Sequence, residues 1–361
     1  MRIMVFDVPA NVGGALSILK EFHHEVINYH DKEVKWVFVL SEPFLEETEN
    51  IKVLRFPWIK RNWLYRVFFD KFIAPKIVKK YKPDKIFSLQ NVIIPKIKTE
   101  QITYIHQPLP FVEYRFRFKE DRLFWIYQNI LSNTIYNSIK KSQKVIVQTN
   151  WFKEACIQKT GVSEEKIIVV PPKINVDIKK YFVESKESLS TFFYPAGAIY
   201  YKNHRLIIQA CEKLVQQYSA KFRVILTLNG DENTHIIDLY NIVQEKKLPI
   251  DFVGNISRDK VFEYYSKSIL LFPSYIETFG LPMLESKLHR GIILASDTAF
   301  SHEILDEYQN AYFFDKFSCE ELASLMRQIL SRNLSYYSEN SKDTLSQRDE
   351  MNLVYQIVHS K

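Results

Sequence analysis

Short runs of β-branched and aliphatic residues alternate with longer amphipathic stretches, and the alternation is played through twice. The short runs are 2–7, 34–40, 85–89, 101–106 and 144–148, then 191–196, 222–229, 250–254, 269–272 and 292–295. Apolar residues at helical spacing fill the intervals, for example over 63–82, 121–142, 203–218, 258–267 and 318–331. A strand followed by a helix must return to the strand's starting edge before the next strand, so the repeat predicts parallel sheets with helices on both faces. The fold class is therefore α/β, with two Rossmann-like, doubly wound domains. A break at Pro171-Pro172 and the polar run Glu184-Ser185-Lys186-Glu187-Ser188 sets the expected domains at 1–180 and 181–334. Two such domains in tandem are expected to face across a cleft lined by strand carboxyl ends, where ligands of open α/β sheets bind.

Charge is uneven. Residues 1–180 hold 30 Lys+Arg against 19 Asp+Glu, while 181–361 hold 19 against 23. A basic first half suits a polyanionic partner. Its bases are interleaved with rings over 55–82, where Arg55, Lys60, Arg61, Arg66, Lys71, Lys76, Lys79, Lys80 and Lys82 stand among Trp58, Trp63, Tyr65, Phe68, Phe69 and Phe72. A second such stretch is 114–122, with Tyr114-Arg115-Phe116-Arg117-Phe118-Lys119. The composition suits an anionic membrane surface. Helical spacing over 63–82 also allows most of these rings to be core. No RNA- or DNA-binding motif is present, so nucleic acid is not an expected partner. Cys156, Cys211 and Cys319 are far apart and form no C-x-x-C, which points to a reducing compartment without a thiolate zinc site. Asp7 and Pro9 come too early for a signal peptide, and no apolar run approaches the roughly 20 residues of a membrane span. The expected location is cytoplasmic, with peripheral contact at the inner face of the plasma membrane.

The chemistry gathers in Ser274-x-x-Glu277-Thr278-Phe279-Gly280-Leu281-Pro282-Met283-Leu284-Glu285. This string follows the strand 269–272. Gly280 permits a positive φ or a close backbone approach, and Pro282 suits the first position of a helix. Glu285 then falls in the first helical turn and Glu277 in the loop before it. Free N–H groups at a helix start bind anions such as a diphosphate. The two carboxylates must face neutral hydroxyl-bearing groups, because they would repel that anion. A plain strand–turn–helix with two solvated acids is the bland alternative.

The whole string resembles the E-x7-E signature of family 4 retaining glycosyltransferases, whose fold is the two-Rossmann glycosyltransferase B type. Gly291-Ile292-Ile293-Leu294-Ala295-Ser296-Asp297 and Glu303 resemble that family's usual continuation. The resemblance implies that Glu277 contacts the donor sugar and Glu285 the nucleotide ribose. It implies further that Phe279, Gly280 and Leu281 offer backbone N–H groups, with Ser274 and Thr278 beside them. Lys202, in Pro195-Ala196-Gly197-Ala198-Ile199-Tyr200-Tyr201-Lys202-Asn203-His204, matches the lysine of the family's basic pair. A fixed cation there would stabilise the departing diphosphate. The partner arginine has no counterpart, so Asn203 or Arg205 covers its role or this branch does without it. Gly13-Gly14 matches a glycine pair beside the donor phosphates, and His106, in Tyr104-Ile105-His106-Gln107-Pro108, matches a histidine near the reacting sugar. Gly254 and Asn255 are expected near the base. A final helical segment over 335–361 is expected to pack back on the first domain.

The expectation is a retaining, metal-independent transferase. It would move a sugar from a nucleotide diphosphate, with UDP preferred, to a glycan or lipid-linked acceptor in surface-polysaccharide synthesis. His106, Lys202 and Glu277 would act in catalysis, and closure of the two domains would order the site. No D-x-D, P-loop, G-x-S-x-G or G-x-G-x-x-G is present, so no metal or cofactor is expected. Two alternatives share the fold: a nucleotide-sugar epimerase, and a catalytically weak sugar-nucleotide-binding partner subunit.

Overall fold

A computed structural model describes residues 1–11, 13–173, 178–218, 221–338 and 352–360. Contacts divide the chain into two units. One is Met1–Lys173 together with the C-terminal stretch that carries the helix Leu353–His359, and the other is Ile174–Thr344.

The first unit holds a seven-stranded parallel sheet in the order β3-β2-β1-β4-β5-β6-β7. Its strands are β1 (Arg2–Asp7), β2 (Lys35–Leu40), β3 (Ile51–Arg55), β4 (Lys85–Ser88), β5 (Glu100–Tyr104), β6 (Lys144–Val147) and β7 (Ile167–Val169). β1 is buried along nearly its whole length, as a central parallel strand covered on both faces must be. Leu19, Phe22 and Val26 recur at helical spacing on Gly13–Asn28 and pack on one face with Ile3, Val5 and Phe38. Met4, Phe6 and Val39 meet Phe69, Ala74 and Val78 on the other.

The second unit has a six-stranded parallel sheet in the order β10-β9-β8-β11-β12-β13. Its strands are β8 (Thr191–Tyr194), β9 (Arg223–Leu226), β10 (Ile250–Phe252), β11 (Ile269–Phe272), β12 (Ile293–Ser296) and β13 (Ala311–Phe314). Central β11 is wholly buried.

Three strands escape the sequence reading: β3, β7 and β13. Each is a sheet edge with half-exposed residues; Lys52 and Arg55 break the apolar pattern of β3, while β7 and β13 are apolar runs of only three and four residues. The expected helix 335–361 is also shorter. Residues 335–338 are not helical, 339–351 lie outside the described residues, and the helix begins at Leu353. It does pack in the first unit, where Val354 and Ile357 are fully buried beside the helix Gly13–Asn28. Lys85 Nζ caps its last turn by donating to the carbonyls of Ile357 and Val358 at 3.2 and 3.1 Å.

The two basic, ring-rich stretches fold alike. Trp63–Phe68, a π-helical turn Phe69–Ile73 and Ala74–Tyr81 follow without interruption, and so do Arg122–Ile126, a π turn Tyr127–Leu131 and Ser132–Lys141. In the first, Pro75 has no N–H to continue the ladder, which accounts for the wider turn before it. The rings here are not mainly core, which corrects the reading from helical spacing. Trp63–Phe68 and Arg122–Ile126 contain no buried residue, and Trp63 is 72% exposed.

Candidate functional site

In the second sheet the strand order reverses at β8, which pairs with β9 on one side and β11 on the other. A crevice forms where crossovers leave in opposite directions, outside the carboxyl ends of those strands. The loops after β8 and β11 are the ones that carry Lys202 and Glu277.

Both loops are stitched to each other. Asn203, at φ 60°, ends the turn Tyr200–Lys202 and opens the helix His204–Gln217. Its Nδ2 donates to the carbonyls of Pro273 at 3.3 Å and Lys316 at 2.9 Å. The Tyr194 hydroxyl, at the end of β8, donates to the Lys202 carbonyl at 2.9 Å, and the Tyr275 N–H donates to the Tyr201 carbonyl at 3.2 Å. These bonds fix the backbone on either side of one ion pair: Lys202 Nζ donates to Glu277 Oε1. The same oxygen accepts from the buried Ser274 hydroxyl at 2.8 Å. Ser274 is held in turn, because its carbonyl accepts from Ser296 Oγ at 2.5 Å.

Lys202 and Glu277 are 18% and 15% exposed, so water screens the pair far less than it screens a surface bridge. An ammonium has three N–H donors and Glu277 takes one. Glu277 keeps acceptor capacity on its second oxygen. The pair can therefore meet an anion on the lysine side and a hydroxyl on the carboxylate side.

Next along the chain, Gly280 has φ 92°, a conformation that side chains strain to adopt, and a Cβ there would lie 2.5 Å from Met283 Cε. The helix Leu281–Leu288 starts from it, with Pro282 second rather than first. Phe279 is buried and anchors the turn, Leu281 is exposed, and Thr278 is half-buried. Glu285 lies in the second turn of this helix, not the first as expected. Its Oε2 accepts from the Tyr265 hydroxyl at 3.0 Å and its Oε1 approaches Arg258 at 3.4 Å. Burial pushes the Glu285 carboxyl above its ordinary range, against the pull of Tyr265 and Arg258. Neither brace was foreseen, because nothing in the spacing marks residues 20 and 27 positions upstream as neighbours.

Gly254 and Asn255 follow β10, two strands from β8, and share no hydrogen bond with the ion pair. Gly254 has φ 71° and a Cβ there would meet Asn229 Oδ1 at 2.5 Å. Asn255 is exposed. Arg205 is exposed on its helix, where its charge acts on His235. Asn203 spends its amide on two carbonyls.

In the first unit the order reverses at β1, between β2 and β4. Gly13 and Gly14 open the helix after β1, and a Cβ on Gly14 would have no heavy atom within 4 Å. His106 lies two residues past β5, where Asn91 Nδ2 stands 3.0 Å from its Nε2. Burial pushes the His106 imidazole down to about 4, so the ring is neutral at physiological pH. The sequence reading missed Asp7. It closes β1, is 1% exposed, and neither carboxylate oxygen has a partner of hydrogen-bond geometry. Burial pushes its carboxyl up to about 7 despite the nearby Arg66 charge, the Ala10 N–H and Lys60. Among the described residues no cluster of three or more His, Cys, Asp or Glu is arranged to hold a metal ion.

Residues 177–344 match the family model described as glycosyl transferases group 1. Over 239 residues the chain is 23% identical to the O-antigen chain mannosyltransferase RfbU of Salmonella typhimurium. That match covers 66% of this chain and 63% of the relative, less than two thirds of its length. Among solved structures, sucrose-phosphate synthase from Thermosynechococcus elongatus superposes with a TM-score of 0.69 at 15% identity, covering 91% of this chain and 90% of that one. The Anabaena protein HepE, solved in complex with UDP and glucose, gives 0.65 at 15% identity, covering 93% and 92%. At such identities these likenesses speak for the fold alone, the two-Rossmann glycosyltransferase B type that the E-x7-E resemblance implies.

Proposed function

From the premise that residues 177–344 belong to the glycosyl transferases of group 1, we propose that the chain transfers a sugar from a nucleotide diphosphate to a hydroxyl acceptor with retention of configuration. The observation that carries this is the Lys202–Glu277 pair, held by Ser274 at the carboxyl ends of the two strands where the sheet order reverses. Lys202 lies where a leaving diphosphate gathers negative charge, and a fixed, partly dry cation stabilises that charge best. Glu277 accepts from hydroxyls of the donor sugar. Glu285, braced by Tyr265, accepts from the ribose diol. Leaving-group charge falls to Lys202 and to the N–H groups that open Leu281–Leu288, and no metal enters the reading. The departing phosphate takes the acceptor proton as the new bond forms on the same face.

UDP is the preferred nucleotide in this reading, supported by the UDP bound in the Anabaena neighbour. A lipid-linked glycan is the preferred acceptor, supported by the O-antigen relative. Peripheral contact with an anionic membrane belongs to the same reading. The exposed rings of Trp63–Phe68 lie in a run flanked by Arg61, Arg66 and Lys71, a composition that suits an interface of headgroups and acyl chains. Among the described residues no helix is long and apolar enough to cross a membrane.

A panel of radiolabelled UDP-, GDP- and dTDP-sugars tests the chemistry. Wild type is expected to consume one of them, and Lys202→Ala and Glu277→Ala to lose roughly a hundredfold or more in turnover, the usual cost of removing a group that stabilises developing charge. Wild-type turnover in both variants would sink the proposal.

A further inference from the structure

A side-chain amide decides which nitrogen of His106 carries its proton. Asn91 lies three residues past β4 and His106 two past β5, and these strands are neighbours. Asn91 has φ 65°, a left-handed conformation that asparagine tolerates better than most residues. Its Oδ1 accepts from the backbone N–H groups of His106 at 2.7 Å and Gln107 at 3.0 Å. Only the oxygen end of an amide can accept two N–H groups, so its orientation is determined. The NH2 end is thereby left against His106 Nε2 at 3.0 Å, and it can only donate. A ring nitrogen that accepts a hydrogen bond carries no proton, and in a neutral imidazole the proton is then on Nδ1. Burial alone drives the ring to the neutral form; Tyr104, 5.7 Å away between ring centroids, is its titratable neighbour, and no charged side chain contributes to the shift. His106 Nδ1 is buried and has no hydrogen-bond partner among the described residues. A buried N–H donor with nothing to donate to is costly unless an incoming oxygen satisfies it.

We propose that Asn91 is a positioning residue that holds His106 as the Nδ1–H tautomer, so that the ring, once a local movement uncovers Nδ1, offers one neutral N–H donor to a sugar hydroxyl and no charge to a phosphate. The second half rests on the transferase reading above; the first does not.

The test is a long-range proton–nitrogen-15 correlation spectrum of the full chain, with His106→Ala assigning the ring signals. The wild type is expected to show a protonated Nδ1 and a bare Nε2 from about pH 5.5 to 8, the range in which an ordinary histidine titrates. Asn91→Asp keeps an acceptor for both backbone N–H groups and tolerates the same φ, but it turns an oxygen toward Nε2. That variant is expected to move the proton to Nε2 and to bring the titration of His106 up into that pH range. Asn91→Gly removes the amide without backbone strain and is expected to give mixed tautomers. An Nε2–H ring in the wild type, or an unchanged spectrum in Asn91→Asp, overturns the proposal. Turnover is read in parallel with whichever of radiolabelled UDP-glucose, UDP-galactose and GDP-mannose the wild type consumes. A moved proton with turnover down roughly five- to tenfold, the scale of one lost hydrogen bond, supports both halves. A moved proton with unchanged turnover leaves the tautomer assignment standing and overturns the substrate role of His106.

Discussion

Asp7 is a carboxyl that the fold keeps at a cost. Its folded-state value is raised to about 7 from an ordinary 3.8, so the protonated form is the one the interior favours. A raised carboxyl contributes its full stability below the unfolded value near pH 4, and loses it as pH climbs through the folded value near 7. Asp7→Asn removes the charge without changing the shape. Relative to the wild type it is expected to gain up to about 3–4 kcal/mol at pH 8 and little at pH 4. Urea unfolding at both pH values measures this, and an equal gain at both would rule the account out. Gly280 poses the opposite case, a residue kept for its backbone. Gly280→Ala at φ 92° is expected to cost about 1–3 kcal/mol of unfolding free energy. Equal urea midpoints for the two proteins would contradict it. At this scale the sequence was readable where a motif sets spacing: Ser274, Lys202 and Glu277 do meet. Asp7, Tyr265 and Arg258 were unreadable, since their burial and partners arise from crossovers that bring distant residues together.

Elements were legible in proportion to their burial. Central strands such as β1 and β11 read as continuous apolar runs because both faces are covered. Among the edges, β3 is interrupted by Lys52 and Arg55, while β7 and β13 are short apolar runs of three and four residues, most of them only half-buried. The stretch Trp63–Tyr81 deceived in the other direction. Its rings recur with helical period, yet Trp63–Phe68 buries none of them, Phe69 alone among the rings is fully buried, and Ala74–Tyr81 buries Ala74, Pro75 and Val78. Periodicity marks a helix and one apolar face, and it does not say whether protein or lipid covers that face. Trp63→Ser with Phe68→Ser is therefore expected to change unfolding free energy by no more than about 0.5 kcal/mol, as surface changes do. The same pair is expected to lower co-sedimentation with phosphatidylglycerol vesicles several-fold at low salt. Full vesicle binding by the double variant would refute membrane contact through this helix.

Over the whole molecule, repetition of strand and helix announced two units. The polar run at 184–188 did not mark where contacts divide the chain, because a linker is polar for the same reason that any exposed loop is. Contacts place Lys173 as the last residue of the first stretch, close to Pro171-Pro172. The return of the C-terminal helix came only from family resemblance, since Val354 and Ile357 look no different from other helical apolar residues. Ile357→Ala is expected to destabilise the first unit by about 2–4 kcal/mol. Calorimetry should show its transition falling while that of the second unit holds; a shift of both together would contradict separate units.

That returning helix also imposes an order in time. The surface that Val354 and Ile357 cover on Gly13–Asn28 is translated first, and its cover comes only after every residue of the second unit has been made. From Asn28 to Leu353 is 325 residues, so at about 5–20 residues per second the gap amounts to roughly 16–65 s on the ribosome. During that interval the nascent first unit carries an open apolar seam, one that a chaperone or an early-folding neighbour must shield until the tail emerges.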